Sequence, residues 1–249
     1  MTQNTWPLPF CIAHRGASKI APENTISALK AAKKLGAQWV ECDIQLTRDN
    51  QPVIFHDKTL TRTTNGSGLL STTSFSKIQT LDAGSWFSPA FKNERVPTLQ
   101  EWLQSASNLK LGLNLELKAN TKKEAIFLAE SLIDHLQKYW PAHSTNLLIS
   151  SNNYFALMQV HERAKSLPLG LICDNVITEK KAVELLNANI ISLHQPYKIL
   201  NAEYIKMLQE NGLYVLAYTV NDIKSAEELR RMGVDGLFSD NQDLYTTLK

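Results

Sequence analysis

Features that mark secreted and membrane proteins are scarce in this sequence. Its 249 residues include three cysteines, Cys11, Cys42 and Cys173, each in an apolar run without a nearby cysteine partner. This small, odd number excludes a disulfide framework and is typical of a reducing compartment. No apolar run approaches the ~20 residues needed to cross a bilayer, and Met1–Pro9 lacks the pattern of a signal peptide. We therefore expect a cytoplasmic protein without stable membrane association.

A large excess of charge is also absent. The formal net charge is +2 and charged residues make up 20% of the chain. This balance excludes nucleic acid as an electrostatically attracted partner, but it tolerates a small anionic substrate. Neither a G-x-G-x-x-G motif nor a P-loop is present. The hydrophobic fraction of 43% predicts a globular fold, and the length is that of a single domain, residues 1–249.

Short apolar runs alternate with amphipathic stretches along the chain. We predict strands at residues 10–14, 38–46, 111–118, 146–150, 169–173, 190–194, 214–220 and 236–239. A predicted helix follows each strand, and such alternation indicates parallel pairing. Eight of these units predict an α/β fold, a closed (β/α)8 TIM barrel. An open, doubly wound sheet is the structural alternative.

One region interrupts this regular pattern. Residues 52–56 form a short extended segment that we predict to be a hairpin partner of the second strand. Residues 58–95 are rich in Thr, Ser and Gly and show no strong period, and a structureless loop of that length is uncommon in a compact domain. We therefore predict a small insertion with short helices, in which Trp86 and Phe87 pack over one end of the fold.

The first predicted strand ends in His14-Arg15-Gly16, which places a proton-transfer group and a permanent cation at the start of a loop. Pro22 then favours the opening of a helix, with Glu23 in its first turn. Catalytic side chains of a TIM barrel lie at the carboxyl ends of its strands. We therefore expect the first strand to contribute to a functional site.

Acidic side chains occur at alternate positions in two predicted barrel strands. Glu41 and Asp43 share one face of the second strand, and Glu116 shares a face with Lys118 at the end of the third. Three carboxylates that converge inside a barrel would repel one another at ordinary pH. A divalent cation with a preference for oxygen ligands, Mg²⁺ or Ca²⁺, would resolve this repulsion.

Two histidines and two cations complete the predicted site. His14 and His56 flank the acidic cluster and are suited to act as acid and base near neutral pH. Arg15 and Lys118 are suited to bind an anion such as phosphate. Each motif also has a simpler explanation: an exposed strand face, a Glu116–Lys118 ion pair, or histidines buried in the core. The functional interpretation depends on their coincidence at several strand ends.

The sequence resembles bacterial glycerophosphodiester phosphodiesterases over residues 12–240, with the matching motifs in the family's order. These motifs are His14-Arg15-Gly16, Pro22-Glu23-Asn24-Thr25, Glu41-Cys42-Asp43, His56-Asp57 with Leu60-Thr61-Arg62-Thr63-Thr64, Gly84-Ser85-Trp86-Phe87, Val96-Pro97-Thr98-Leu99, Glu116-Leu117-Lys118, Thr219-Val220-Asn221 and Gly233-Val234-Asp235-Gly236-Leu237-Phe238-Ser239-Asp240. The resemblance implies a TIM barrel with a small insertion and hydrolysis of glycerophosphodiesters, such as glycerophosphocholine and glycerophosphoethanolamine, to glycerol 3-phosphate and an alcohol.

The resemblance also implies roles for individual residues. The implied ligands of one divalent cation, Mg²⁺ or Ca²⁺, are Glu41, Asp43 and Glu116. The implied acid/base pair is His14 and His56, and the implied phosphate ligands are Arg15 and Lys118. The aromatic residue before Thr219, commonly Trp in the family, is Tyr218 in this sequence. With Trp86, it is expected to line the pocket for the alcohol.

Other functions share parts of this pattern. A relative with the same site that acts on lysophospholipids or phosphatidylinositol-type substrates is the nearest alternative. A non-catalytic binding barrel would be expected to lack one of the histidines or carboxylates, and all of them are present. A lyase that uses Lys118 as a Schiff base is disfavoured, because the neighbouring Glu116 would keep the lysine protonated. We expect a monomer or a homodimer.

Overall fold

The computed structural model describes residues 8–141 and 146–248, and within them the strands form one sheet. The strands are β1 (Cys11–Ala13), β2 (Trp39–Leu46), β3 (Pro52–Ile54), β4 (Gly112–Leu117), β5 (Leu147–Ser151), β6 (Leu169–Ile172), β7 (Ile190–Pro196), β8 (Tyr214–Tyr218) and β9 (Gly236–Ser239). The helices are α1 (Ile26–Lys34), α2 (Phe75–Ile78), α3 (Leu99–Asn108), α4 (Lys122–Tyr139), α5 (Tyr154–Arg163), α6 (Glu179–Asn187), α7 (Ala202–Glu210), α8 (Ile223–Met232) and α9 (Leu244–Thr247). Over these described ranges, no helix has both the length and the apolar character of a membrane-spanning segment.

The sheet closes on itself. Its strand order is β1-β9-β8-β7-β6-β5-β4-β2-β3, and a further parallel pairing joins Ala13 of β1 to Val40 of β2. All strands of this ring are parallel, whereas β3 is antiparallel to β2 and lies outside the ring as a hairpin partner. The eight-stranded barrel and its hairpin confirm the predicted TIM barrel and exclude the open sheet. The carboxyl ends of the strands therefore meet at one mouth.

Strand β2 shows why polar residues reach the barrel interior. Val40, Cys42 and Ile44 belong to the main apolar core, which packs the outer face of the strands against the helices. Glu41 and Asp43 alternate with them and therefore point into the barrel. Earlier in the strands, a separate apolar cluster fills the interior beneath these carboxylates: Ile12, Trp39, Leu148, Leu216 and Phe238.

The prediction that Pro22 opens the first helix is wrong. Helix α1 begins at Ile26, and the side chain of Thr25 caps it by accepting a backbone N–H. Asn24 cannot belong to the helix, because its φ of 57° lies in the left-handed region and its side chain donates to Asp43 at 2.8 Å. The segment before α1 is thus held by the barrel interior rather than by helical hydrogen bonds.

The insertion consists of short helical turns around a small apolar cluster of its own. Within residues 58–95 lie α2 and two 3₁₀ helices, Leu70–Thr72 and Pro89–Phe91. The buried members of the cluster are Val53, Phe55, Leu60, Leu70, Ile78, Leu81, Ala83 and Val96. Because Val53 and Phe55 come from the β3 hairpin, this cluster attaches the insertion to the barrel.

Trp86 lies at the surface of this insertion. Its side chain is 39% exposed, its ring meets Phe87 edge-on at 5.6 Å, and its indole N–H donates to the carbonyl of Ala83 at 2.8 Å. The contacts of Trp86 therefore stabilise the insertion itself.

Candidate active site

The carboxyl ends of the barrel strands surround a pocket of about 430 Å³. Of the predicted site residues, those that line it are His14, Arg15, Glu41, His56, Glu116, Lys118 and Tyr218. Asp43 is buried beside them, in contact with both cations. Trp86 is not among the residues that line this pocket. One concave site thus contains both predicted histidines, the predicted cations and the acidic cluster.

A tight turn after β1 places His14 and Arg15 at the pocket. The backbone N–H of His14 donates to the carbonyl of Ser239, and that of Arg15 donates to Glu41 Oε2 at 2.9 Å. Arg15 has a φ of 56°, in the left-handed region. Gly16 follows with a φ of 84°, and a Cβ there would lie 2.7 Å from that of Ala28. The glycine therefore permits both the turn and its close contact with α1.

A carboxylate on the last strand orients His14. The Nδ1 of His14 lies 2.8 Å from Asp240 Oδ1, and Asp240 also accepts hydrogen bonds from Ser18 and Asn221. Burial alone would raise the pKa of Asp240, but these hydrogen bonds and the histidine hold it well below its usual range. Since Nδ1 is occupied by Asp240, Nε2 is the nitrogen that faces Glu41, at 3.9 Å from Oε2.

A neighbouring carboxylate also orients His56. Its Nδ1 lies 2.6 Å from Asp57 Oδ1, and the side-chain amide of Gln45 donates to the carbonyls of Phe55 and His56 at 2.8 Å each. Burial, together with the charges of Arg15 and Lys118, lowers the pKa of His56 despite the attraction of nearby carboxylates. The neutral form of this imidazole is therefore favoured.

The acidic cluster has the properties of a cation site. One oxygen each from Glu41, Asp43 and Glu116 can be chosen so that all three lie within 4.8 Å of one another. Glu41 and Asp43 are only 3% and 1% exposed, yet Glu41 Oε1 and Asp43 Oδ1 have no hydrogen-bond partner. Burial, followed by repulsion from Asp43 and Glu116, raises the pKa of Glu41 well above its ordinary value. A hard divalent cation fits this donor set and would satisfy both oxygens.

Two positively charged side chains, those of Arg15 and Lys118, flank the carboxylates. Arg15 Nε lies 3.3 Å from Asp43 Oδ2, and Lys118 Nζ lies 3.0 Å from Glu116 and 3.4 Å from Asp43 Oδ1. Burial alone would raise the pKa of Asp43, but Arg15 and Lys118 lower it to about 2. Burial would conversely lower the pKa of Lys118, but Asp43 and Glu116 raise it. Lys118 therefore stays charged, which argues against a Schiff-base mechanism.

Arg62, in the insertion, connects the carboxylate that orients His56 to the carboxylate that binds Arg15. The guanidinium of Arg62 binds Glu23 at 2.6 and 2.7 Å and Asp57 at 2.6 and 2.8 Å. Glu23 also accepts from Arg15 Nη1 at 2.9 Å. One side chain thus braces both the carboxylate that orients His56 and the carboxylate that holds Arg15.

The residues that orient the site, Asp57, Arg62 and Asp240, lie in motifs of the family resemblance, but the sequence assigned them no role. Asp57 directly follows His56, and Asp240 follows β9, the strand that closes the barrel next to β1. Adjacency in the chain could therefore have identified Asp57 as the partner of His56, and closure of the barrel could have identified Asp240 as the partner of His14. Arg62 lies in a loop without any period, and its contact with Glu23 depends on the fold of the insertion. No local pattern identifies such a contact.

His194 lies on β7 at the base of the pocket and is 1% exposed. Its Nε2 is 3.1 Å from the Ser192 hydroxyl, and its ring centroid is 5.1 Å from that of Phe238. Burial lowers the pKa of His194 from its ordinary value of 6.5 to about 3. The folded protein therefore keeps this imidazole neutral over a range in which the unfolded chain protonates it.

This difference predicts an acid-dependent loss of stability. As the pH falls below 6.5, His194 becomes protonated in the unfolded state but stays neutral in the folded state down to about pH 3. The free energy of unfolding therefore declines between pH 6.5 and pH 3. The loss at pH 5 should be about 2 kcal/mol. Urea unfolding of the wild type and of His194→Gln at pH 7 and pH 5 measures it. The variant should lose less stability on acidification, and equal losses in the two proteins would contradict this role of His194.

Comparison with known proteins adds a family context to this geometry. The family model described as "Glycerophosphoryl diester phosphodiesterase family" matches residues 14–244. A glycerophosphodiester phosphodiesterase from Caldanaerobacter subterraneus is 34% identical over 239 residues, which cover 95% of this chain and 96% of the relative. Another from Bacillus subtilis is 32% identical, over 96% of this chain and 85% of the relative.

A solved structure shows the same fold. It is that of a phosphodiesterase from Oleispira antarctica in complex with the product sn-glycerol-3-phosphate. The TM-score is 0.91 at 36% sequence identity, and the superposition covers 95% of each chain.

Proposed function

The chain belongs to the glycerophosphoryl diester phosphodiesterase family and has the activity of a glycerophosphodiester phosphodiesterase, and from this premise we propose its substrates and the roles of its residues. The proposed reaction is the metal-dependent hydrolysis of glycerophosphodiesters, among them glycerophosphocholine and glycerophosphoethanolamine, to sn-glycerol 3-phosphate and an alcohol. The Oleispira phosphodiesterase supports this proposal, because its structure contains sn-glycerol-3-phosphate as the product.

One observation carries the mechanism: two histidines, each fixed at Nδ1 by a carboxylate, meet at a single pocket beside a buried acidic cluster. The carboxylate partner favours the tautomer with hydrogen on Nδ1, so that Nε2 is available for proton exchange. One of His14 and His56 removes the proton from the attacking oxygen. The other donates a proton to the alcohol oxygen as its bond to phosphorus breaks.

The acidic cluster fits one divalent cation, Mg²⁺ or Ca²⁺, held by Glu41, Asp43 and Glu116. When bound, such an ion supplies Lewis-acid stabilisation of a phosphoryl oxygen. Arg15 and Lys118 line the same pocket and would donate charge-assisted hydrogen bonds to the phosphate. Their charges would offset the negative charge that grows on the phosphoryl oxygens in the transition state.

The products formed from glycerophosphocholine test this proposal. The purified protein should release glycerol 3-phosphate and choline in equal amounts, without phosphocholine, because the proposed reaction breaks the phosphorus–oxygen bond to the alcohol. Lysophosphatidylcholine serves as the comparison substrate. Faster hydrolysis of lysophosphatidylcholine than of glycerophosphocholine, or release of phosphocholine, would overturn the proposal.

Substitution of Arg62 should reduce activity even though this residue lies outside the pocket lining. Loss of its contacts releases Asp57 and Glu23 together, and small misplacements of catalytic groups are costly. We expect Arg62→Ala to lower kcat/KM roughly 10- to 100-fold. Arg62→Lys should recover little, because a lysine cannot bind two carboxylates in a bidentate manner.

The matched control for Arg62 is Arg95→Ala in the same insertion. Arg95 donates to the carbonyls of Thr80 and Leu81, and among the described residues it forms no hydrogen bond or ion pair with the site. Equal activities of the Arg62 and Arg95 variants, with both proteins folded, would show that Arg62 does not position the catalytic residues.

A further inference from the structure

Two pocket residues take no part in the proton transfers or in the acidic cluster. Asp174 follows β6 and Tyr218 ends β8, and both line the pocket that contains His14 and His56. The hydroxyl of Tyr218 donates to Asp174 Oδ1 at 2.6 Å. The pair thus links the residues that follow β6 to the end of β8 at the mouth of the pocket.

The pair lies across the mouth from Glu41 and Asp43. In the closed strand order, β7 stands between β6 and β8, and four strand steps separate β7 from β2, the strand that carries Glu41 and Asp43. In an eight-stranded ring, four steps lead to the opposite wall. A phosphate beside the acidic cluster would therefore leave the rest of the substrate to extend toward Asp174 and Tyr218.

The charge environment of Asp174 differs from that of the other pocket carboxylates. Glu116 is paired with Lys118, Asp43 with both Arg15 and Lys118, and Glu41 accepts the backbone N–H of Arg15 and faces His14 Nε2 at 3.9 Å. Among the described residues, the ion pairs include no cation on Asp174, and Oδ2 of Asp174 accepts no hydrogen bond. Asp174, at an exposed position across the mouth from Glu41 and Asp43, thus presents a negative charge with no cation of the described residues bound to it.

We propose that the Asp174–Tyr218 pair is the subsite for the alcohol half of the substrate and that it selects alcohols with an ammonium group. A carboxylate gives such a group a charge-assisted hydrogen bond or a direct charge contact, and the adjacent aromatic ring adds a cation–π attraction. The hydrogen bond from Tyr218 fixes the orientation of the carboxylate. This inference rests on the proposed function, and it extends that function by naming the class of alcohol.

The experiment compares two cationic diesters, glycerophosphocholine and glycerophosphoethanolamine, with one uncharged at the alcohol, glycerophosphoglycerol. The release of glycerol 3-phosphate gives kcat and KM for each substrate. The wild type should prefer the cationic diesters by roughly 10-fold in kcat/KM. Asp174→Asn should lose roughly 10-fold on them, mainly through KM, and stay within about twofold on glycerophosphoglycerol. Tyr218→Phe should change in the same direction by a smaller factor.

The matched control is Glu179→Gln, which removes the same charge from the start of α6, at an exposed position outside the pocket lining. This control should leave the preference for cationic alcohols unchanged. Choline as a product inhibitor provides a second readout, since Asp174→Asn should raise its inhibition constant while the constant for glycerol 3-phosphate stays the same.

The outcomes separate this inference from the proposed function. Equal losses of Asp174→Asn on all three diesters would assign Asp174 to the shared glycerol half and overturn the inference alone. A wild type without preference, or an Asp174→Asn variant with an unchanged preference, would overturn it as well. Absence of glycerol 3-phosphate from every diester with the wild type would overturn the proposed function and this extension together.

Discussion

Replacement of His14 or His56 by alanine is expected to lower kcat by roughly 10²- to 10⁴-fold, the contribution typical of a positioned acid or base. Each imidazole is fixed through Nδ1, by Asp240 or by Asp57, at 2.8 and 2.6 Å. Removal of either ring leaves one proton transfer without its group and leaves the carboxylate without its partner. KM should change much less, because in the proposed mechanism Arg15, Lys118 and the ion held by the acidic cluster bind the phosphate.

The double variant distinguishes a catalytic pair from two independent residues. Because one histidine activates the nucleophile and the other assists the leaving group, His14→Ala with His56→Ala should cost far less than the product of the two single losses. His135→Ala on α4 is the control, since this histidine bonds to the carbonyl of Ser131 on its own helix. A folded His14 or His56 variant with near-full activity would remove that residue from the proposed mechanism.

Glu41→Gln is expected to abolish both activity and the stabilisation of the protein by divalent cations. A ligand that binds only the folded state adds about 2.7 kcal/mol at a concentration one hundred times its Kd. For a chain of this size, that raises the melting temperature of the wild type by roughly 5–10 °C. The variant lacks one of the three carboxylates and should show almost no such shift with Mg²⁺ or Ca²⁺.

The same variant should behave differently without metal. In EDTA, Glu41→Gln should be at least as stable as the wild type, because it removes a buried carboxyl whose charge Asp43 and Glu116 oppose. Metal binds the deprotonated carboxylate and burial raises the pKa of Glu41, so the metal-induced shift in the wild type should decrease at acidic pH. Glu228→Gln, at an exposed position on α8, is the control. Equal metal-induced shifts in wild type and Glu41→Gln would show that the acidic cluster does not hold the ion.

The alternation of apolar and polar residues in β2 and β4 made much of the site predictable. The apolar residues Val40, Cys42 and Ile44 pack against the helices from the outer face of β2. Glu41 and Asp43 alternate with them and therefore point inward. The eight predicted strand–helix units indicated a TIM barrel, and in a TIM barrel the polar residues at the carboxyl ends of the strands meet at one mouth. The resemblance to a family then supplied the roles that spacing alone left open.

The contacts that orient the site were not predictable in this way. His14 and Asp240 are 226 positions apart in the chain and meet only because β9 closes the barrel beside β1. Glu23 and Arg62 meet across the insertion, whose short turns have no period. The start of α1 was wrongly predicted at Pro22, because the contact of Asn24 with Asp43 outweighs the local preference of proline for a first helical turn.

The most direct test of the proposed mechanism is the release of glycerol 3-phosphate from glycerophosphocholine by protein that has been stripped with EDTA and verified as metal-free by elemental analysis. We predict no release above the level of the His14→Ala variant until Mg²⁺ or Ca²⁺ is added, and recovery of activity with at least one of these ions. Undiminished release by the verified metal-free protein would contradict the assignment of Glu41, Asp43 and Glu116 as the ligands of an essential cation.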